Sequence, residues 1–171
     1  MSQKKFYLLQ VNDALFPIGA YSHSQGLETY IQNGIVHDEK TAEEYIKNKI
    51  KWNFATTELL SVKLAYESAE AERLEELDLE INETGIYKEY VTARKGKNIS
   101  HSCVYGVFCS ALGIELEEAL EHYLYAQTSA MVTNCVKTIP LSQSVGQKLL
   151  SRCFFEFQEV LETLKIQTKE E

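Results

Sequence analysis

Apolar residues recur at steps of three and four along most of the chain, the spacing that places them on one face of an α-helix. The longest such segment covers residues 42–70, and Thr41 and Glu44 have the spacing of a capping box that would start it. Its predicted core positions are Tyr45, Ile46, Ile50, Trp52, Phe54, Ala55, Leu59, Val62, Tyr66 and Ala69. So broad a stripe predicts a central helix that packs on more than one side.

Shorter periodic segments predict further helices on either side. They cover residues 6–14, 24–32, 100–112, 115–137 and 142–164. Leu8, Leu9, Val11 and Leu15 are the expected contacts of the first segment. The expected inward positions of the 100–112 helix are Val104, Val107, Phe108, Ala111 and Leu112. The small residues Gly106, Ser110 and Ala111 are expected to let a neighbouring helix approach closely.

Turn-forming residues separate these segments and complete the architecture. Asn33-Gly34 and Gly113 are expected to end helices, and Pro140 breaks the chain before a helix capped near Ser142. Residues 80–98 predict a shortened, irregular loop, and residues 167–171 a frayed tail. The pattern therefore predicts an all-α, single-domain helical bundle of about six or more helices over residues 1–171.

The periodicity breaks at residues 15–28, where Pro17, Gly19 and Gly26 flank a polar run. The run is Tyr21-Ser22-His23-Ser24-Gln25, and either serine could cap the helix that follows. Three interpretations stay open: a helix connector, a binding surface and a catalytic Ser–His pair. The last is disfavoured, because neighbouring residues on a helix point in different directions and the chain has no Gly-x-Ser-x-Gly elbow.

Composition narrows the class of partner. The chain has 171 residues, 44% of them hydrophobic, which is enough for a substantial core. Its net charge of −8 argues against binding to nucleic acid or to an anionic membrane surface, and permits basic protein partners. No run approaches the ~18 apolar residues of a membrane span, and no apolar signal core follows the polar first residues. A cytoplasmic protein is expected.

The residue types that bind metals and nucleotides are not arranged as sites. Cys103, Cys109, Cys135 and Cys153 form no Cys-x-x-Cys pair and are expected to be buried free thiols. His101 and Cys103 are the closest pair of potential metal ligands, but at this spacing they diverge on a helix. The sequence also contains no P-loop. Neither a metal site nor a cofactor is predicted.

Two blocks of this sequence resemble the UreF family of urease accessory proteins. Residues 8–28 carry the family's Pro-Ile-Gly, aromatic residue, Ser/Thr-His-Ser and Gly-Leu-Glu in order. The second block comprises Gly106-Val107-Phe108, Ala111-Leu112-Gly113, Glu118-Ala119-Leu120, residues 123–129, residues 140–143 and Gly146-Gln147. The closeness of both blocks suggests a relative of UreF proteins from ureolytic epsilon-type bacteria.

The resemblance implies a non-catalytic adaptor rather than an enzyme. Proteins of this family are all-helical, form homodimers and bind UreD/UreH. That pair recruits the GTPase UreG, and the whole assembly delivers nickel to the urease apoprotein. The implied partner-binding residues are Pro17, Gly19, Tyr21, Ser22, His23, Ser24, Gln25, Glu28, Gln143 and Gln147. Candidates for the dimer contact are Leu120, Tyr123, Leu124, Gln127 and Met131.

This sequence departs from the family pattern in two places. Family members usually have a longer middle, which residues 80–98 do not match, and usually continue beyond the last helix into a basic-aromatic tail. The alternative function is a small helical cytosolic enzyme that uses His23, with Glu28 or a serine, as acid–base machinery. That alternative predicts a concave pocket around His23 and a histidine with a perturbed pKa.

Overall fold

The structure, a computed structural model, describes residues 3–13, 26–75 and 100–166. Its helices are α1 (Gln3–Val11), α2 (Leu27–Gln32), α3 (Glu39–Asn48), a π-helix here called π1 (Lys49–Glu58), α4 (Leu59–Glu75), α5 (His101–Ala111), α6 (Leu116–Thr138), α7 (Gln143–Arg152) and α8 (Phe154–Ile166). No strand occurs within these ranges, and the all-α prediction is confirmed. The predictions for residues 80–98 and 167–171 lie outside them.

The chain divides into two compact units. The first unit comprises residues 1–19 and 57–123, and the second comprises residues 20–56 and 124–171. Both π1 and α6 therefore contribute residues to each unit. The single-domain prediction for residues 1–171 stays a prediction.

In the first unit, α4 and α5 meet at a glycine. A Cβ atom built on Gly106 would overlap the carbonyl oxygen of Val62 and lie 3.1 Å from the backbone nitrogen of Tyr66. The two helical backbones are therefore in direct contact, which confirms the predicted role of Gly106. The Tyr66 hydroxyl adds a buried hydrogen bond, donated to the carbonyl oxygen of Ile114 at 2.7 Å.

In the second unit, charged side chains join α3 to α7 and α8. The Arg152 guanidinium donates to Glu39 Oε1 and Glu43 Oε2, each at 2.9 Å. Lys47 Nζ lies 3.2 Å from Glu43 Oε1 and 3.1 Å from Glu156 Oε1. Burial acts to raise the pKa of Glu43, but the hydrogen bonds from Arg152 and Lys47 outweigh it, and the pKa falls below its usual value.

The start of α3 differs from the predicted capping box. Asp38, not Thr41, is the N-cap residue, and its Oδ1 accepts a 2.8 Å hydrogen bond from the Thr41 backbone N–H. Thr41 Oγ1 in turn accepts from the Asp38 N–H at 3.1 Å. Thr41 thus takes the third helical position of a capping box that starts earlier, because Asp38 supplies the stronger acceptor.

The predicted core stripe of residues 42–70 is wrong at Trp52, which is 73% exposed. Ile46, Ile50 and Phe54 are buried at steps of four, and the next buried position, Leu59, follows after a step of five. The cause is π1: its wider turn carries more residues than an α-helix, so a 3.6-residue count loses register across it. The prediction assumed α-helical turns throughout and therefore placed Trp52 in the core.

The buried face of α5 also differs from the predicted one. Val107 is buried as predicted, whereas Val104, Phe108, Ala111 and Leu112 are half-buried. The fully buried positions are Ser102, Tyr105, Gly106, Val107, Cys109 and Ser110. The close approach at Gly106 decides this orientation, because it turns the small residues of α5 toward the backbone of α4.

Smaller corrections concern helix ends and one leucine. Leu9 is exposed, because Leu8 and Val11 together define the inner face of α1. Gly26, in the left-handed region at φ 92°, occupies the N-cap position of α2 without a side-chain hydrogen bond, so neither predicted serine caps it. The predicted 142–164 helix is interrupted at Cys153, whose N–H donates to the Leu150 carbonyl three residues back. The Ser142 cap is confirmed by a 3.2 Å hydrogen bond from the Val145 N–H.

Candidate partner-binding surfaces

The predicted partner-binding turn lies mostly outside the described residues. Those outside are Pro17, Gly19, Tyr21, Ser22, His23, Ser24 and Gln25. Glu28 is described: it is exposed in the first turn of α2, where the helix dipole favours a negative charge.

The second predicted patch, Gln143 and Gln147, is exposed on α7. The two residues are four positions apart and share one face of the helix. On the buried side, a Cβ atom at Gly146 would lie 2.7 Å from Val136 Cγ2 and 3.4 Å from Val132 Cγ1, so α7 packs tightly against α6. This close packing leaves both amides directed to solvent on a firmly held helix.

The predicted dimer face of α6 is largely covered by this chain itself. Leu120, Tyr123, Leu124 and Met131 are at most 6% exposed, and Gln127 is half-buried. Their packing within one protomer accounts for their apolar spacing. The role of this face in a dimer stays a prediction.

The sequence missed a groove of about 430 Å³ in the second unit. It lies between α2 with the loop after it and α3 with π1, and its lining residues are Tyr30, Ile35, Val36, Thr41, Glu44, Tyr45, Asn48, Lys49, Trp52 and Asn53. Trp52, Ile35 and Tyr30 are the exposed large apolar residues at this place. Residue spacing did not indicate the groove, because an α-helical count places Trp52 in the core.

Two tyrosines form a tilted aromatic pair in this groove. The ring centroids of Tyr30 and Tyr45 are 5.1 Å apart, with an interplanar angle of 58°. Burial, with a contribution from Tyr30, raises the pKa of Tyr45 to about 12. The Tyr45 phenol therefore stays neutral at physiological pH, and the groove presents uncharged aromatic groups.

His101 belongs to an internal cluster of the first unit. Its ring stacks on Tyr123 with centroids 5.5 Å apart, and its Nδ1 lies 3.4 Å from the Tyr123 hydroxyl. That hydroxyl donates to Glu58 Oε2 at 3.0 Å. Burial lowers the pKa of His101, against the opposing effect of the Glu58 carboxylate. The imidazole is therefore held neutral, and its buried Nε2 has no hydrogen-bond partner.

The cysteines are free, as predicted. Cys109, Cys135 and Cys153 are buried, and Cys103 is half-buried. Burial raises the thiol pKa of Cys109 to about 12, of Cys135 to about 11 and of Cys153 to about 12. Because the thiolate is the nucleophile and the metal ligand, these three thiols are unsuited to either task at neutral pH.

Across the described ranges, no three His, Cys, Asp or Glu side chains come together in a group that could hold a metal ion. None of the helices in those ranges combines the length and apolar character that a membrane span requires.

The family model of UreF matches residues 78–154. The match supports membership of the UreF family for this part of the chain, and with it a urease accessory role. The match covers just under half of the chain and contains α5, α6 and α7 together with Gln143 and Gln147.

The extent of the UreF match differs from the resemblance seen in the sequence. It contains the whole of the second block but not residues 8–28, the most distinctive block. It also begins before residue 80, so it includes residues 80–98, which had been set apart from the family pattern. A particular closeness to UreF of epsilon-type bacteria stays a prediction.

Proposed function

We propose that this UreF chain is a non-catalytic adaptor in the cytoplasm that binds UreD/UreH and, with it, recruits the GTPase UreG for nickel insertion into urease apoprotein. The observation that supports this proposal is the family match over residues 78–154. Nickel is the cargo of the assembly, and no step of its transfer is assigned to residues of this chain.

The chemistry of the described residues favours an adaptor over a metal carrier or an enzyme. The three buried thiols are held protonated by their raised pKa values. The His101 imidazole is stacked on Tyr123, and burial lowers its pKa. Groups in these states stabilise a core, whereas nickel ligands and acid–base catalysts must be accessible and able to change protonation state.

Two surfaces are proposed to bind partners. One is the turn that contains Pro17, Gly19 and the residues 21–25, together with Glu28; the other is the exposed pair Gln143 and Gln147 on α7. Tyr21 is the proposed anchor, because aromatic side chains dominate the binding energy of many interfaces. The amides can supply hydrogen bonds at the polar rim of an interface.

The test is co-purification of the full chain with UreD/UreH and UreG, comparing Tyr21→Ala with a matched control, Tyr125→Ala. Tyr125 is a 48% exposed aromatic residue on α6, outside both proposed surfaces. Loss of an interface anchor typically costs about 2 kcal/mol or more, roughly a thirtyfold loss of affinity, whereas the control should bind as the wild type does.

A double variant, Gln143→Ala with Gln147→Ala, tests the second surface in the same experiment. Both residues are exposed, so the variant should fold normally and weaken the complex less than the loss of Tyr21. A folded wild-type chain that binds neither UreD/UreH nor UreG would contradict the adaptor proposal.

A homodimer is also part of the proposal. Because most of the α6 candidates are buried within the protomer, the direct test is the mass of the isolated chain in solution across a dilution series. A monomer at all concentrations would contradict it.

A further inference from the structure

The groove beside Trp52 has the composition of a binding site for a cationic side chain. Three aromatic side chains line it: Tyr45 is buried, Tyr30 is 44% exposed, and Trp52 is 73% exposed. Tyr30 and Tyr45 pack as a tilted pair, and the faces of aromatic rings attract cations, those of tryptophan most strongly.

A carboxylate completes this composition. Glu44 lines the groove and is exposed. Its neighbours on α3, Glu39 and Glu43, are engaged by Arg152 and Lys47, whereas Glu44 enters no ion pair with any described residue. A carboxylate beside aromatic side chains attracts a positive charge.

We infer that this groove binds an arginine side chain presented by a partner protein. A guanidinium can stack on an aromatic face and pair with a carboxylate at the same time, which an ammonium does less well. The net charge of −8 also favours approach by a basic surface. The inference rests on the proposed adaptor function, since it assigns one contact to one of the partners.

Lys49 offers a second variant, whose effect on arginine binding should be opposite to that of Glu44→Gln. It lines the same groove, is half-buried and enters no ion pair with any described residue. Its ammonium opposes a cationic occupant. Neutral replacement, Lys49→Gln, should therefore strengthen arginine binding, while Glu44→Gln should weaken it.

Trp52 is the single tryptophan of the chain and reports on the groove directly by its fluorescence. The probes are N-acetyl-arginine amide, its neutral isostere N-acetyl-citrulline amide and N-acetyl-lysine amide, added to the full chain at constant ionic strength. We expect a saturable change with the arginine probe, a smaller one with lysine and none with citrulline. Glu44→Gln should bind the arginine probe about two- to fivefold more weakly.

Glu121→Gln is the matched control, since Glu121 is an exposed carboxylate on α6 that does not line the groove. It should leave arginine binding unchanged. An equal response to citrulline, equal or tighter lysine binding, or weaker arginine binding by Lys49→Gln would each overturn the inference. So would an arginine response that disappears at chain concentrations at which the chain self-associates, because a second copy of the chain would then occupy the groove.

The two proposals fail separately. If the chain co-purifies with its accessory partners but shows no selective arginine response, the groove inference fails and the adaptor function stands. If the arginine response appears but no partner binds the chain, the adaptor function fails and the groove's selectivity stands without its assigned partner.

Discussion

Gly106→Ala tests the close contact between α4 and α5 in the first unit. The added methyl group would overlap the carbonyl oxygen of Val62 and lie 3.1 Å from the backbone nitrogen of Tyr66. Both atoms belong to helical backbone and cannot rotate away, so α4 and α5 must separate to admit the methyl group. The variant therefore tests whether α4 and α5 are in direct backbone contact at Gly106.

Two opposing terms decide the size of the effect. Alanine favours a helix interior over glycine by about 1 kcal/mol. Overpacking a close contact costs about 1–3 kcal/mol, and the rigid backbone partner places Gly106→Ala near the upper end. We expect a net loss of about 1–2 kcal/mol in the free energy of unfolding, a fall in Tm of about 3–8 °C for a chain of this size.

Gly146→Ala is the matched control, because it makes the same change in another helix. There the methyl group would lie 2.7 Å from Val136 Cγ2 and 3.4 Å from Val132 Cγ1, which are side-chain atoms that can shift. Its loss should be less than half that of Gly106→Ala. Thermal unfolding followed by far-ultraviolet circular dichroism measures both, and a Gly106→Ala chain as stable as the wild type would refute the close contact.

Three further predictions concern the burial of Phe54, the pKa of His101 and the ion pair of Arg152. Phe54→Ala should cost about 3–5 kcal/mol of unfolding free energy and Trp52→Ala less than about 0.5 kcal/mol, because Phe54 is 1% exposed and Trp52 73%; urea unfolding measures both, and equal losses would contradict the π-helical register. The lowered pKa of His101 means that the folded state disfavours its protonation, so stability should fall as pH drops below 6.5, its unfolded value, toward the lower folded one; a His101→Gln chain whose unfolding free energy falls just as steeply between pH 7 and pH 5 would count against this. Arg152→Gln should lower stability slightly, by an amount that shrinks with added salt, because its ion pair with Glu43 is partly exposed; a loss independent of salt would show another cause.

The sequence predicted the helical class and most helices because apolar periodicity reports burial directly. The 100–112 and 115–137 segments match α5 and α6 within a residue or two. The close approach at Gly106 was also foreseen from residue size alone. These features depend on local spacing, which the sequence displays.

The errors in the predicted helices arose at a change of helix type, at a helix start and at a helix break. The π-helical turns of π1 moved Trp52 from the predicted core to the surface. Asp38 displaced Thr41 as the cap of α3, and the break at Cys153 divided a helix whose apolar positions continue across it. A 3.6-residue template cannot display a change of helix type, so it could not anticipate the outward position of Trp52.

The candidate partner-binding surfaces were likewise predicted only in part. Gln143 and Gln147 were candidates through the family resemblance, and both are exposed on α7. The aromatic groove was not predicted, because it depends on Trp52 turning outward and on the Tyr30–Tyr45 pair between residues fifteen positions apart. Contacts between separate elements need three-dimensional information that a periodicity does not contain.

The most direct test of the adaptor function is the mass of the complex formed when the full chain is mixed with UreD/UreH and UreG and resolved by size exclusion with light scattering. The adaptor function predicts one species that contains all three proteins and that does not form when this chain is left out. Elution of the chain at its own mass, with UreD/UreH and UreG separate from it, would contradict that function.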